Sequence, residues 1–250
     1  MILSQNKISG HIKEKINIFC FETVDSTNNV AKREAKALSY APSLFVSERQ
    51  TAGRGRRGRS FYSPDGGLYM TLMLPVDDPC GIQKLTCAAA AATADAIEAM
   101  TPFSVGIKWV NDILIDNKKV AGILCELLCD NENVPKAVII GVGVNLTTTD
   151  FPAAFSERAG AIGDIDRNLL CAHITENLLD ESQRLSENHF LKKYTERSIA
   201  LGKTITYEQN GSNHTATATG ISPDGGLIIN ENGEERILSF GEISLLIHHS

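Results

Sequence analysis

Apolar positions recur along this chain in two rhythms. Runs that are continuously apolar, or that alternate with polar residues, predict strands over 16–21 (INIFCF), 44–47, 68–74 (LYMTLML), 105–109, 113–115, 120–128 and 137–144 (AVIIGVGV). The last is apolar enough to be buried on both faces. Elsewhere the spacing is helical. Val30, Ala31, Ala35 and Leu38 follow Asp25-Ser26, both good N-cap types, and predict a helix over 26–38. Ile82, Leu85, Ala89, Ala92, Ala96 and Met100 form one stripe of a long helix over 81–100, with small alanines suited to close packing. Leu170, Ile174, Leu178 and Leu185 give the inner face of a helix over 167–185, and a shorter helix carries Phe190 and Tyr194.

The character changes near Leu201. Beyond Thr204, β-prone runs are separated by Asn210-Gly211, Asp224-Gly225-Gly226 and Asn232-Gly233, which are strong hairpin signals. About five short strands in about 50 residues suggest a small SH3-like or OB-like barrel. The chain is therefore expected to divide into an α+β domain, 1–200, and a β domain, 201–250. It contains no internal repeat and no low-complexity tract.

Composition narrows the class. Of 250 residues, 42% are hydrophobic and 22% charged, which excludes a disordered tail, a collagen-like repeat and a disulfide-packed mini-domain. The 24 Lys+Arg against 30 Asp+Glu leave a net charge of −6, poorly suited to coating nucleic acid or an anionic membrane. A local basic cluster could still bind phosphate. The start of the chain lacks the apolar core of a signal peptide, and no stretch has the roughly 18 apolar residues of a membrane span. A cytoplasmic protein without a membrane segment is expected. Cys20, Cys80, Cys87, Cys125, Cys129 and Cys171 form no CxxC pair and read as free thiols of a reducing compartment. The histidines form no HExxH, and His248-His249 reads as a solvated tail, so no metal-ligand set is expected. Asn145-Leu146-Thr147 fits a glycosylation sequon that a cytoplasmic chain would not have processed.

The most informative stretch is Gly53-Arg54-Gly55-Arg56-Arg57-Gly58-Arg59, four arginines in an acidic chain. Arginine offers a permanent charge and forked donors suited to carboxylate and phosphate. Interleaved glycines let backbone N–H groups approach a ligand closely. A solvated basic loop, an RGG-type nucleic-acid segment and an anion cradle all fit the stretch. Its place between two strands of a folded domain weakens the RGG reading. The crowded charges predict a mobile loop that orders when an anionic ligand arrives.

A second constellation is Lys108-Trp109-Val110-Asn111-Asp112 followed by Lys118-Lys119-Val120-Ala121-Gly122-Ile123. A hairpin turning at Asp116-Asn117 brings Asp112 and Lys119 to the same end of neighbouring strands. The pair is either a polar turn with solvated lysines or an acid/base group beside a cation that offsets developing negative charge. Gly141-Val142-Gly143-Val144-Asn145 closes a strand, and its glycines admit a flat ligand or another backbone. It is no dinucleotide fingerprint, because Leu146 stands where the third glycine is needed. Gly202-Lys203-Thr204 is no P-loop, because Arg197 stands at the required glycine.

Asp25-Ser26-Thr27-Asn28, Gln50-Thr51-Ala52-Gly53 with the arginine loop, Lys108 to Asp112, Lys119 to Leu124, Gly141 to Asn145 and Gly241-Glu242-Ile243-Ser244-Leu245 resemble, in order and spacing, the bacterial biotin–protein ligases. The resemblance spans nearly the whole chain. It implies an α+β catalytic domain like that of class II aminoacyl-tRNA synthetases, the biotin–lipoate ligase fold, with a small C-terminal SH3-like β-barrel. It also implies the reaction: biotin and MgATP give biotinyl-5′-AMP and pyrophosphate, and biotin then passes to one lysine of the biotin carboxyl carrier protein of acetyl-CoA carboxylase. By that match Ser26, Thr27, Asn28 and Gln50 hold biotin. Gly53, Arg54, Gly55 and Arg56 form the loop over the adenylate, and Lys119, with Gly122 on the same strand, marks the carboxyl–phosphate junction. Asn145 falls on the nucleotide and metal side. Arg56, Lys119 and Asp112 are the expected catalytic groups, with Asp112 accepting or orienting the proton of the acceptor amine.

Two departures stand out. The family usually has Pro where this chain has Val110, which leaves the approach to Asn111-Asp112 less rigid. It often has Trp-Phe-Ser-Pro where this chain has Phe61-Tyr62-Ser63-Pro64, which keeps an aromatic for stacking. Only about 24 residues precede the Asp-Ser-Thr-Asn motif, too few for the helix-turn-helix module of many relatives. With the acidic charge, that predicts a short ligase that does not bind DNA. A homodimer through edge strands is possible. The rivals are a lipoate or octanoate ligase of the same superfold, which biotin and lipoate titrations with MgATP would separate, and a non-catalytic RNA-binding module, which predicts a steep salt slope.

Overall fold

The computed structural model describes residues 2–76 and 81–246; Cys80, His248 and His249 lie outside them. Seven strands form one sheet in the order β1-β2-β3-β7-β6-β5-β4. They are β1 (Asn17–Val24), β2 (Ser43–Gln50), β3 (Gly67–Pro75), β4 (Gly106–Lys108), β5 (Asp112–Ile115), β6 (Lys118–Cys129) and β7 (Pro135–Asn145). β1 and β2 are parallel and joined through α2 (Thr27–Glu34); the other pairings are antiparallel, and because β3 neighbours β7 the chain crosses from β3 to β4 at the far edge through a long helix.

Side-chain alternation builds two cores, one on each face. Leu44 and Val46 join the larger core beneath α3 (Ile82–Met100) and α4 (Arg167–Gln183), while Phe45 between them points into the smaller core with Val30, Ala31 and Ala35. β7 does the same: Ile140, Val142 and Val144 enter one core and Ala137 and Ile139 the other, as its continuous apolarity predicted. α3 departs from the expected single stripe, since every residue from Leu85 to Ala94 is buried. Its alanines let it lie in close contact with α4, β6 and α5 (His189–Arg197) together. Thr86 and Thr93 return their hydroxyls to carbonyls one turn back, so neither is an unpaired polar group in that core.

Other boundaries moved. The helix expected over 26–38 ends at Glu34, and the chain then turns through Ser39 and Tyr40, both in the left-handed region. The helix expected over 167–185 stops at Gln183. A one-turn helix α1 (Gln5–Ser9) was not foreseen; it is too short for a helical period to register, and tertiary burial of Ile8 holds it.

A second sheet, all antiparallel, has the order β11-β10-β9-β8-β12. Its strands are β8 (Thr204–Gln209), β9 (Ser212–Ile221), β10 (Leu227–Glu231), β11 (Glu234–Leu238) and β12 (Ile243–Leu245). The Asn-Gly pairs turn as predicted, with φ of 52° and 76° at Asn210 and Gly211 and 55° and 90° at Asn232 and Gly233. The turn between β9 and β10 plugs into the first unit. The Gly225 carbonyl accepts from Trp109 Nε1 at 3.0 Å and Gln83 Nε2 at 2.9 Å. Among the described residues no helix is long and apolar enough to cross a membrane. Cys20, Cys87, Cys125, Cys129 and Cys171 are all free thiols.

Gly225 has φ +80°, and an added Cβ would stand 2.8 Å from Cys87 Sγ. Gly225→Ala should therefore cost about 1–3 kcal/mol in urea unfolding and shift emission from Trp109, the single tryptophan. Unchanged emission and stability would show that this turn does not anchor the second sheet.

Candidate active site

The glycines and polar residues that ended strands in the sequence converge on one cleft. It is lined by Ser26, Thr27, Asn28 and Gln50 at one end, by Arg54, Gly55 and Arg56 above, and by Asp112, Lys119 and Gly122 at the other end. Ten of the twelve expected site residues thus line one cleft; Gly53 and Asn145 do not line it. Its volume is about 140 Å³.

Ser26 is the N-cap of α2, but its side chain makes no capping bond. Gln50 caps instead: its Oε1 accepts the Thr27 N–H at 2.8 Å, while its Nε2 donates to Ser63 Oγ at 2.9 Å. Ser63 in turn donates to the Phe61 carbonyl. Gly53 must be glycine, because a Cβ there would collide with that carbonyl and with Ser63 Oγ. The two strand glycines are filled by the protein itself. Gly141 receives the Asn28 amide and Gly143 the Phe61 ring, where a Cβ would lie 2.9 Å from Cζ.

Arg54, Arg57 and Arg59 are exposed and Arg56 half-buried, but three of the four are tied to polar partners. Arg54 bonds Glu126 at 3.0 Å and Asn29 at 3.2 Å. Arg56 donates to Asn111 Oδ1 at 3.4 Å. Arg59 reaches across to Glu242 of the second sheet at 2.6 Å. Burial lowers the pKa of Arg56, with the Glu242 charge opposing that shift. A short 3₁₀ turn, Arg56–Gly58, with Arg57 at φ 54° and Gly58 at φ 74°, gives the loop its reversal.

At the opposite end Lys119 Nζ lies 2.6 Å from Asp112 Oδ1 and 5.6 Å from the Phe61 ring centroid. The expected hairpin juxtaposition is present, with Leu114 opposite Lys119 and Asp112 opposite Gly122. Val110 is buried, its peptide with Trp109 is cis, and Tyr194 donates to its carbonyl at 3.1 Å. Those contacts and the Trp109–Gly225 bond hold a segment expected to be looser without proline. Asn145 donates Nδ2 to the Gly160 carbonyl at 3.0 Å, and its buried Oδ1 has no partner.

Sequence reasoning missed Glu126. It accepts from Asn28 at 2.9 Å and Lys32 at 2.7 Å as well as from Arg54. The one signal was an acid inside the apolar run Ile123 to Cys129. Glu242 and Asn111 were quoted within motifs but given no role. Elsewhere Asp180, Glu181 and His189 could approach a cation together, but the Lys193 ammonium already sits 2.9 Å from Glu181.

A cleft lined by cations, roofed by a glycine-jointed arginine loop and set on a mostly antiparallel sheet has the charge suited to anionic small molecules. Comparison makes this specific. The family model of the biotin/lipoate A/B protein ligase family matches residues 20–145, and that of the biotin protein ligase C terminal domain matches residues 200–246. The chain is 32% identical to the bifunctional ligase/repressor BirA of Bacillus subtilis over 95% of its own length and 78% of that protein's. It is 36% identical to the protein of that name from Bacillus spizizenii, covering 69% of this chain but only 56% of the relative. The biotin protein ligase of Aquifex aeolicus, solved in complex with biotin and ATP, superposes with a TM-score of 0.78 at 28% identity, covering 92% of this chain and 98% of that one. This chain belongs to the biotin/lipoate A/B protein ligase family, on its biotin protein ligase branch.

Burial pushes the Glu126 carboxyl up, but hydrogen bonds from Asn28 and Lys32 outweigh it and leave the pKa lowered. Its pairing with Arg54 is therefore complete at neutral pH and lost as pH falls through the depressed value. Amide exchange at residues 53–59 of the empty protein, corrected for intrinsic rates, should be flat from about pH 8 to 5 and rise below about pH 4. A rise already at pH 6 would show that Glu126 does not hold the loop.

Proposed function

We propose that the protein is a biotin–[acetyl-CoA-carboxylase] ligase acting in the cytoplasm, with a catalytic unit over 1–200 and an accessory β unit over 201–250. Biotin and MgATP react to biotinyl-5′-AMP and pyrophosphate. The biotinyl group then passes to one lysine of a biotin carboxyl carrier protein. The observation that carries this reading is the convergence of Arg56, Lys119 and Asp112 on one end of a cleft whose other end is a ring of hydroxyl and amide groups.

The chemistry follows from charge. A carboxylate is a poor electrophile, so its oxygen must first attack the α-phosphorus of ATP, expelling pyrophosphate and leaving a mixed anhydride. That step joins an anion to a polyanion. Arg54, Arg56 and Lys119 offset the repulsion and the charge that builds on the α-phosphate. Lys119 starts from a salt bridge to Asp112, which holds its ammonium at this end of the cleft. In the second step the neutral acceptor amine attacks the carbonyl and AMP leaves. Free lysine has a pKa near 10.4, so about one molecule in a thousand is neutral at pH 7. Asp112 accepts or orients the amine's proton. Mg²⁺ bound with ATP would supply neutralisation of phosphate charge, and Asn145, whose buried Oδ1 has no partner, is the residue that would offer it an oxygen.

The rivals fit less well. An RNA module needs its arginines free of internal acids, whereas Arg54 and Arg59, though exposed, pair with Glu126 and Glu242. A lipoate ligase shares the first family model, but the second, over residues 200–246, describes biotin ligases.

ATP-dependent biotin incorporation into a carrier-domain lysine tests the reading. Arg56→Ala and Lys119→Ala should each cut adenylation at least about a hundredfold, the loss typical of one charge-stabilising donor. Asp112→Asn should slow transfer from preformed biotinyl-AMP. Wild-type protein that labels no carrier lysine would refute the function, and normal transfer by Asp112→Asn would refute that residue's role.

A further inference from the structure

The polar end of the cleft is one continuous hydrogen-bonded chain, and its direction can be deduced. Asn28 Nδ2 lies 2.9 Å from Glu126 Oε2 and 3.4 Å from the Leu124 carbonyl, two groups that only accept. The amide nitrogen must face them, so Asn28 Oδ1 faces Thr71 Oγ1 at 2.7 Å. Thr71 is fully buried and has one proton, which goes to Asn28 Oδ1. Its oxygen, 2.8 Å from Thr27 Oγ1, is then left to accept from Thr27. The far end is fixed as well. The Phe61 carbonyl takes the Ser63 proton, Ser63 takes the Gln50 amide proton, and Gln50 Oε1 is left facing Thr27 N–H at 2.8 Å and Thr27 Oγ1 at 3.2 Å. Whichever interior acceptor the Thr27 hydroxyl proton takes, it points into the protein. Thr27 lines the cleft, so what it offers a ligand is a lone pair.

We propose that Glu126, acting through Asn28 and Thr71, is a specificity-determining residue that fixes the Thr27 hydroxyl as an acceptor and so selects ring ligands carrying an N–H. Neither Glu126 nor Thr71 lines the cleft; both are positioning residues. The inference rests on the biotin reading above, because the cyclic urea of biotin supplies N–H donors that the dithiolane ring of a lipoyl group lacks. The network also explains Gly141. Only a glycine leaves room for the Asn28 amide to lie across β7 and reach Glu126 on β6. With a neutral amide at position 126, Asn28 is free to reverse. Thr71 would then donate to Thr27, taking one of its two lone pairs, and the Thr27 proton would keep only the longer 3.2 Å contact to Gln50 Oε1, which weakens Thr27 as an acceptor for the ligand.

Calorimetric titration of the full chain with biotin, and with a biotin analogue whose ring N–H groups are replaced by oxygen, tests this without ATP. Wild type should prefer biotin. Glu126→Gln and Thr71→Val should each weaken biotin binding roughly three- to tenfold and leave the oxygen analogue unchanged or bound more tightly, narrowing the preference. Thr71→Ser, which keeps the hydroxyl, should restore it. Lys32→Met removes a salt bridge from the same carboxylate but no link of the chain, and should keep the wild-type ratio. Equal losses for both ligands in Glu126→Gln and Thr71→Val would mean general disruption of the pocket and would overturn the proposal, as would an unchanged ratio. Wild-type protein that binds no biotin would sink the functional reading itself.

Discussion

Two anions cannot be brought together in a half-buried cleft unless positive charge is already fixed there. In water the repulsion between a carboxylate and a phosphate is damped, but inside a protein the damping is weaker by severalfold. The cations must therefore be placed before the ligands arrive, and in the empty protein they repel one another. This structure meets that constraint by giving each a temporary partner. Arg54 pairs with Glu126, Lys119 with Asp112, Arg59 with Glu242, and Arg56 with the neutral Asn111. In the proposed reaction, anionic ligands would compete for groups that are already oriented.

The fold supports that arrangement in three places. The β5–β6 hairpin sets Asp112 and Lys119 side by side. The centre of β7 carries glycines where Asn28 and Phe61 must lie flat against the sheet. The second sheet supplies Glu242 to the arginine loop and the Gly225 carbonyl to Trp109, so it acts on both the roof of the cleft and the segment leading to Asp112. A carboxylate from one sheet holding a loop from the other ties the two units at the site itself.

Much of this was legible in the sequence because local rules governed it. Strand alternation, the Asn-Gly turns and the anion-binding character of the arginine–glycine run are all encoded within a few residues. The Asp112–Lys119 pair was legible because a two-residue turn leaves little freedom in register. What was not legible depended on distant packing. The all-round burial of α3 comes from its position between sheet and helices, and periodicity is silent when nearly every residue is small. α2 ends early at Glu34, and the chain beyond it turns at positive φ through Ser39 and Tyr40, residues with no special preference for that region. Glu126 gave little signal because its partners Asn28, Lys32 and Arg54 lie far away in sequence. The glycines of β7 suggested room for a flat ligand or another backbone; they line the cleft, with the Asn28 and Phe61 side chains packed against them.

The central claim is that a glycine-jointed guanidinium loop and Lys119 together hold two negative groups in contact. A crystal structure of the protein grown with biotin and a non-hydrolysable ATP analogue tests it most directly. The account predicts the biotin carboxylate and the α-phosphate side by side, touching Arg56 and Lys119, with Arg54 drawn away from Glu126. Ligands bound elsewhere, or an arginine loop still paired as in the empty protein while both ligands are present, would contradict it.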